Sequence, residues 1–296
     1  MLAFLPKPLV GVLSILLYTL NTLFWFVPVL LLAILKLLPI PLWQSGLTYL
    51  LDACAVCWIS VNNFTTALFT RIRWHVQGLE QLSRKEWYLI IANHQSWADI
   101  LVLQKIFNRK IPFIKFFLKK ELLYVPFLGI CWWALDFPFM KRYSKSFLQK
   151  NPHLQGKDIE TTRKACEKFR YKPVSIMNFV EGTRFTKAKH QQQQSPFAHL
   201  LKPKAGGTAF VLGAMGQQLH KLLDVTIYYP QGIPTFWDYI SGKVHAITVK
   251  VQVLPITEDL IGDYNDPAYK AHFQQYINQL WLNKDQQLVE LDKNSQ

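Results

Sequence analysis

The feature that most constrains this chain is a long apolar run near its start. Residues 9–38 are almost wholly apolar, and between Pro8 and Thr70 the formally charged residues are Lys36 and Asp52. A helix needs about 20 apolar residues to cross a bilayer. With Pro28 inside the run, it predicts either a kinked span or a helix that enters the membrane and returns. The apolar region is too long for a cleaved signal peptide and has no small-residue cleavage site after it.

A second apolar stretch, residues 47–69, carries the polar side chains Asp52, Asn62 and Asn63. It fits a helix lying in the membrane interface, a helix packed against the first one, or a second span. We therefore expect residues 1–70 to form a membrane-embedded helical anchor.

After Thr70 the pattern changes to alternating strands and helices. The predicted strands are 87–91, 111–116, 174–179, 225–229 and 245–253, and the predicted helices are 98–107, 157–170 and 207–223. The fold class is therefore α/β, a mixed sheet flanked by helices, with a catalytic domain over residues 71–255. Residues 256–296 are predicted as a C-terminal helix beginning at Pro267, which is either packed on the domain or peripheral. Residues 125–139 are apolar, but Pro126 and Asp136 argue against a further span.

Positive charge is concentrated in the middle of the chain. Residues 105–204 contain 21 Lys or Arg against 6 Asp or Glu, while the whole chain has a net charge of +14. Near a membrane this charge favours anionic lipids and phosphate-bearing ligands. Nucleic acid is a weaker interpretation, because an apolar anchor precedes the basic region and no nucleic-acid-binding motif is visible.

The four cysteines, Cys54, Cys57, Cys131 and Cys166, do not form the pattern of a disulfide framework. Cys54 and Cys57 have the spacing of metal ligands, but they lie in an apolar segment without a second pair. Buried thiols in a reducing compartment are the better interpretation, and the scattered histidines indicate no metal site.

His94 and Asp99 are the first candidate catalytic residues. On a continuous helix they would point roughly 140° apart and could not meet. They meet if His94 lies in a loop after the strand and Asp99 lies in the first turn of the next helix, for which Ser96 is a candidate N-cap. Asp99 would then fix the tautomer of a His94 base. The alternative is a strand-to-helix turn held by a side-chain hydrogen bond.

A second motif, Glu181-Gly182-Thr183-Arg184, follows another predicted strand. Its flexible glycine, hydroxyl and guanidinium suit the oxygens of a phosphate. A surface turn with a solvated Arg184 is the alternative.

Together the two motifs resemble those of the glycerolipid acyltransferase family of the lysophosphatidate type. Its members carry a His-four-residues-Asp motif followed by Phe-Pro-Glu-Gly-Thr-Arg, in which Val180 here replaces the proline. The resemblance extends over residues 78–230, and the segments 119–122, 126–129, 136–142 and 200–207 look closest to the lysocardiolipin acyltransferase branch. The fourth family block, usually Val-Pro, reads Val225-Thr226 here, which leaves its part in donor binding open.

The resemblance implies that His94 takes the proton from a lipid hydroxyl while Asp99 holds His94, and that the oxygen attacks a thioester without an acyl-enzyme. The residues implied to bind the acceptor phosphate or support the site are Glu181, Gly182, Thr183, Arg184 and Arg142. Among them the negative Glu181 is better suited to orienting the site. Trp132, Trp133 and Phe137 would either line an acyl tunnel or pack in the core.

The expected function is therefore acyl transfer from acyl-CoA or acyl carrier protein to 1-acyl-glycerol 3-phosphate, giving phosphatidate without a cofactor or metal. Expected partners are the lysophospholipid, the acyl donor and a membrane with anionic lipids. The short tail after Pro255 favours a bacterial inner membrane, with the catalytic domain facing the cytoplasm.

Three alternatives stay open from the sequence. The acceptor could be another lysophospholipid, such as lysocardiolipin or lysophosphatidylglycerol. The chain could instead be a noncatalytic protein that binds anionic lipid. It could also hydrolyse thioesters, although it has no Gly-Xaa-Ser-Xaa-Gly nucleophile turn.

Overall fold

The computed structural model describes residues 2, 4–140, 169, 172–216 and 218–294. Its first two elements are the helices α1 (Lys7–Leu35) and α2 (Pro41–Phe69). They are antiparallel, because Tyr18 bonds Thr66 at 2.6 Å while Asn21 donates to Asn62 at 2.8 Å. These buried polar contacts give two otherwise apolar helices a defined register. Pro28 lies inside a continuous α1, so the chain reverses after this helix and not at the proline.

Other residues of α2 pack against the remainder of the protein. Asp52 accepts a hydrogen bond from Lys172 at 2.6 Å and lies 3.7 Å from the Nζ atom of Lys115. Two turns further along α2, the Ser60 hydroxyl accepts a bond from Asn108 at 2.9 Å. The helix pair is therefore joined to the following domain along much of its length.

Both ends of α1 also contact residues that follow Thr70. Near its start, Lys7 donates to the Gly242 carbonyl at 2.8 Å, and just after its end Lys36 pairs with Asp136. A helix of 29 residues is about 43 Å long. Because contacts occur at both ends of this length, the helix pair lies along the domain instead of projecting from it.

The outer surface of α1 is apolar and exposed. Within the described part of the chain, α1 is the one helix long and apolar enough to cross a membrane, and 11 % of its most apolar window is buried. Large exposed side chains on it include Val12, Leu16, Leu20, Phe24, Val27 and Leu31. A contiguous apolar surface of this kind is typical of a site that contacts a membrane or another protein.

A six-stranded sheet forms the centre of the domain. Its strands, in the spatial order β1-β8-β7-β2-β6-β3, are β1 (Arg73–Gln77), β2 (Tyr88–Ala92), β3 (Ile114–Phe116), β6 (Ser175–Phe179), β7 (Lys221–Tyr228) and β8 (Ala246–Pro255). All neighbours are parallel except the antiparallel pair β7 and β8. A small second sheet joins β4 (Leu118–Lys119) to β5 (Phe139–Met140). The predicted mixed α/β fold is confirmed.

The remaining described helices lie around the sheet. They are α3 (Ala98–Phe107), α4 (Leu128–Ala134), α5 (Lys187–Gln192), α6 (Gly206–Met215), α7 (Phe236–Ile240) and α8 (Pro267–Lys293). Two 3₁₀ turns occupy Lys120–Tyr124 and Glu258–Leu260. α4 has seven residues and is too short to cross a bilayer, as its proline and aspartate neighbours predicted. Phe137 after it packs in a core cluster with Val29 and Leu51.

Two predicted helices need comment. The prediction of a helix over residues 207–223 is wrong at its C-terminal end. The helix α6 ends at Met215, and residues from Lys221 onwards belong to β7. β7 is buried on both faces, and a short continuous apolar run does not distinguish a buried strand from a helix. The helix predicted over residues 157–170 falls almost entirely outside the described residues, as do Arg142 and Cys166.

The C-terminal helix packs on the domain, which is the first of the two roles expected for residues 256–296, and it is not peripheral. Phe273, Ile277 and Trp281 of α8 are fully buried in the cluster that covers one face of the sheet. Their spacing of four residues places them on one side of the helix. α8 is thus an integral layer of the core.

Removing the carboxylate of Asp52 is predicted to destabilise the contact between α2 and the domain. Asp52→Asn leaves the buried Lys115 and its neighbour Lys172 without their anionic partner, and breaking a buried pair in this way costs about 3 kcal/mol. Denaturant titration in detergent would measure the loss. Glu86→Gln is the control, because the Glu86 pair with Lys221 at 2.7 Å is part-exposed and is expected to contribute less than about 1 kcal/mol. Equal losses in the two variants would contradict the prediction.

Candidate active site

Three adjacent parallel strands end at the same edge of the sheet. In the order β7-β2-β6, they are followed by Tyr229, by the loop carrying His94, and by the turn carrying Glu181. Because the carboxyl ends of parallel strands meet at one edge, residues far apart in sequence come together there. Phe185, the residue after the second motif, donates its N–H to the His94 carbonyl at 2.7 Å and so links the two motifs.

Asp99 organises the loop between β2 and α3. Its Oδ2 atom accepts from His94 Nδ1 at 2.9 Å and from the backbone N–H groups of Gln95 and Ser96 at 2.6 and 2.8 Å. Its Oδ1 atom accepts from the Tyr229 hydroxyl at 2.6 Å. Asp99 is fully buried and lies in the first turn of α3, where a helix N-terminus favours negative charge. The predicted loop-to-helix meeting of His94 and Asp99 is observed.

Ser96 makes the predicted N-cap bond, because its hydroxyl accepts from the Ala98 N–H at 3.1 Å. Trp97, between them, already has helical backbone angles. The Ser96 hydroxyl also donates to the Pro234 carbonyl at 2.6 Å. It therefore ties the His94 loop to the segment before α7.

The His94 ring is oriented from two sides. Its Nδ1–H points to Asp99, and its plane stacks on Phe179, with ring centroids 3.8 Å apart and an interplanar angle of 14°. Nε2 has no hydrogen-bond partner among the described residues, and the side chain is 12 % exposed. A hydrogen bond at Nδ1 fixes the tautomer in which Nε2 accepts a proton. The arrangement is that of a general base.

Glu181 is fully buried and connects two backbone segments. Its Oε1 atom accepts from the His94 N–H at 2.9 Å, and its Oε2 atom accepts from the Leu201 N–H at 3.0 Å. Both oxygens are thus occupied by the protein. This geometry corresponds to the orienting role considered for Glu181, and not to contact with a phosphate.

Burial raises the pKa of the Glu181 carboxyl from its ordinary 4.5 to about 8, although its two N–H donors act to lower it. The nearby Asp99 charge adds to the rise. Glu181 therefore titrates close to physiological pH.

The rest of the second motif forms a cationic turn. Gly182 has φ +68°, a backbone conformation that glycine adopts without strain. The Thr183 hydroxyl accepts from Lys189 at 2.7 Å, and the guanidinium of Arg184 lies over the Trp97 ring at 4.5 Å. Arg184 thus contacts the side chain of Trp97, which follows His94 by three residues in the sequence. Arg142, the other candidate phosphate ligand, lies outside the described residues.

Two residues of the site were missed by the sequence analysis. They are Tyr229 and Asn93. The Asn93 side chain makes two hydrogen bonds with the backbone of Ile227, each 2.9 Å long. Asn93 is fully buried, so it fixes the His94 loop against β7. An Asn directly before the candidate base was visible in the sequence, but its partner comes 134 residues later.

The described residues include no group of three or more His, Cys, Asp or Glu side chains that could hold a metal ion.

Comparison with known proteins identifies the family. A family model described as Acyltransferase matches residues 73–229, which is more than half of the chain and includes both motifs. The chain belongs to the acyltransferase family.

Relatives of this chain are named for one substrate. It is 27 % identical over 213 residues to the 1-acyl-sn-glycerol-3-phosphate acyltransferase gamma of Homo sapiens, covering 68 % of this chain and 52 % of that protein. It is 38 % identical over 109 residues to the 1-acyl-sn-glycerol-3-phosphate acyltransferase of Saccharomyces cerevisiae, covering 37 % of this chain and 31 % of that protein. The chain spans about half the length of the human relative and about a third of the yeast one.

A solved structure shares the fold. The crystal structure of the 1-acyl-sn-glycerophosphate (LPA) acyltransferase PlsC from Thermotoga maritima superposes with a TM-score of 0.54. The match covers 96 % of this chain and 95 % of that one at 15 % sequence identity. The similarity includes the region of the N-terminal helices as well as the sheet.

Replacing Glu181 by Gln is predicted to remove a pH-dependent part of the stability. Between pH 4.5 and about 8 the folded parent retains the Glu181 proton that the unfolded chain releases. The folded state binds more protons in this window, so the Glu181 contribution to the free energy of unfolding falls as the pH rises. Glutamine does not titrate. Between about pH 5.5 and about pH 8.5, the parent should therefore lose this contribution to its Tm, and Glu181→Gln should not.

Scanning calorimetry in detergent would measure these Tm values. The control is Glu258→Gln at an exposed position, which should keep the pH dependence of the parent. The same pH dependence in parent and Glu181→Gln would show that Glu181 does not titrate in this range.

Tyr229→Phe is predicted to lower kcat for acyl transfer about tenfold, while KM changes little. The substitution removes one charge-assisted hydrogen bond to Asp99, worth about 1.5 kcal/mol, and leaves the three bonds at Oδ2. Steady-state kinetics with one donor and one acceptor would test this. Tyr239→Phe is the matched control, because Tyr239 is buried in the same core cluster without touching Asp99. A larger loss of kcat in the control would refute a special role for Tyr229.

Proposed function

We propose that this protein is a membrane-bound 1-acylglycerol-3-phosphate O-acyltransferase, which transfers a fatty acyl group from an acyl thioester to lysophosphatidate and produces phosphatidate. The observation that carries the proposal is the His94–Asp99 pair, with Nε2 of His94 unbonded within the described residues and a cationic turn beside it. The names of the relatives support the choice of acceptor.

The reaction follows from this geometry. Nε2 of His94 accepts the proton of the acceptor hydroxyl as its oxygen attacks the thioester carbonyl carbon, and the resulting imidazolium is stabilised by Asp99. A carbon–oxygen bond forms and the carbon–sulfur bond breaks as the tetrahedral intermediate collapses. The departing thiolate takes the proton from His94, which restores the neutral base. The products are the ester and a free thiol.

The acceptor phosphate would bind at the turn that follows β6. Arg184 provides a planar guanidinium, and the ammonium groups of Lys189 and Lys204 lie close to the turn, the former bonded to Thr183 and the latter beside Gly182. A phosphate with about two negative charges is attracted to three cations at one turn. We assign the phosphate contact chiefly to Arg184, because Thr183 is already bonded to Lys189.

The helix pair is proposed to hold the enzyme in the membrane interface. α1 contacts the domain at both of its ends and exposes apolar side chains on its outer side. This favours a pair of helices embedded from one side over a helix that crosses the bilayer. The donor would be acyl-CoA or acyl carrier protein. We place the enzyme at a bacterial inner membrane facing the cytoplasm, for which the free thiols Cys54, Cys57 and Cys131 are consistent with a reducing compartment.

The test is thiol release from acyl-CoA in detergent or bilayers, with and without 1-acyl-glycerol 3-phosphate, together with identification of the lipid product. We expect acceptor-dependent release with formation of phosphatidate in the parent, and a loss of about 10³-fold or more in His94→Ala. A panel containing lysocardiolipin and lysophosphatidylglycerol would identify a different acceptor. Free fatty acid as the product would indicate a hydrolase, and binding of lipid without thiol release from either donor would indicate a noncatalytic protein.

The phosphate assignment has its own variant. Arg184→Lys keeps the charge but loses the bidentate geometry, so we expect KM for the acceptor to rise about tenfold with a smaller effect on kcat. Arg73→Lys at an exposed position on β1 is the control. An unchanged KM in Arg184→Lys would move the phosphate site elsewhere.

A further inference from the structure

An apolar groove lies along the start of α3 and includes Trp97, which follows the candidate base by three residues. It has a volume of about 410 Å³ and is lined by Trp97, Ile100, Leu101 and Phe236. This volume lies in the range of about 300–1,000 Å³ typical of ligand pockets. Trp97 is 54 % exposed and Phe236 is 38 % exposed, so two large aromatic side chains present apolar surface without being covered by the protein.

The walls of the groove are held in place by local bonds. Trp97, Ile100 and Leu101 have the spacing of one helix face and lie along the first turns of α3. Phe236 begins α7, whose start is fixed by reciprocal capping between Thr235 and Asp238. The bond from Ser96 to Pro234 joins the two walls. The groove is therefore a preformed feature and needs no rearrangement of these elements.

One end of the groove carries positive charge. The guanidinium of Arg184 lies over the Trp97 ring, so a cation and an apolar surface share the same side chain. This combination matches a ligand in which an anionic group and an alkyl chain are separated by only a few atoms.

On the Phe236 side of the groove, the neighbouring residue Trp237 contacts α1 of the helix pair. Trp237, next to Phe236, packs so closely on α1 that a side chain added at Gly11 would lie 2.6 Å from it. Exposed Ile233 precedes this segment, and Val12 follows the contact on α1. An alkyl chain leaving the groove on this side would remain against apolar surface.

We propose that this groove binds the acyl chain of the lysophospholipid acceptor, with the acceptor phosphate at Arg184 and its free hydroxyl at His94. The assignment rests on the proposed function. In the acceptor the phosphate and the acyl chain are both attached to one three-carbon glycerol, so they require adjacent cationic and apolar sites. The chain of an acyl thioester has no phosphate next to its carbonyl group, and the cation at Trp97 would be unused.

The test is the dependence of kcat/KM on the chain length of the acceptor. Ile100→Trp fills part of the groove, and a long chain loses more contact there than a short chain. With a fixed donor, the ratio of kcat/KM for 1-oleoyl- to 1-hexanoyl-glycerol 3-phosphate is expected to fall about tenfold relative to the parent. Leu282→Trp, at an exposed apolar position on α8, is the matched control and should keep the parent ratio. Circular dichroism and thermal unfolding would establish that both variants are folded.

A second series varies the acyl chain of the donor with one acceptor. A change of donor preference in Ile100→Trp, with the acceptor ratio unchanged, would assign the groove to the donor and overturn the proposal. Unchanged preference in both series would show that the groove binds neither chain, which also overturns it. Phe236→Ala gives an independent check, because removing the opposite wall should lower the same acceptor ratio. A parent protein without acyl transfer to any acceptor would instead contradict the proposed function itself.

Discussion

The burial of the Asp99 carboxylate is the constraint on which the site depends. A buried carboxylate without partners is costly, and Asp99 is satisfied by four donors, three from the loop 94–96 and one from Tyr229. Two of these are backbone N–H groups, so the path of the loop is determined by the same atom that holds the His94 ring. The base, the loop and the start of α3 consequently form one unit. Displacement of any one of them would leave a charge without its partners.

The strand β7 joins this unit to the far side of the molecule. On one side it bonds Asn93 through the backbone of Ile227. From the other side, Lys284 of α8 reaches β7, pairing with Asp224 at 2.6 Å and donating to the Val225 carbonyl at 2.7 Å. Lys284 is fully buried, and burial lowers its pKa. The C-terminal helix thus contacts the strand that precedes Tyr229, although none of its described side chains contacts His94 or Asp99.

Local signals in the sequence predicted much of the fold and, within the site, the meeting of His94 with Asp99. The strand before His94 and the helix after it were readable because an apolar run is followed by a helical pattern, and α3 has the predicted bounds. The short strands β1, β4 and β5 were missed, since the two-residue strands carry too few residues for a period and β1 is only half-buried. Tyr229 and Asn93 act through partners more than 100 residues away. No spacing within a segment could indicate such contacts.

The position of α1 along the domain has a consequence for the bilayer. A helix pair embedded from one side, as proposed above, brings substrate and product through the same leaflet. In the proposed reaction a lysolipid with one chain becomes a phosphatidate with two, so each turnover would enlarge the chain region of that leaflet while the opposite leaflet gains nothing. On this arrangement, synthesis would generate an area imbalance and curvature stress, and even growth of the membrane would require lipid to move between leaflets by a separate route.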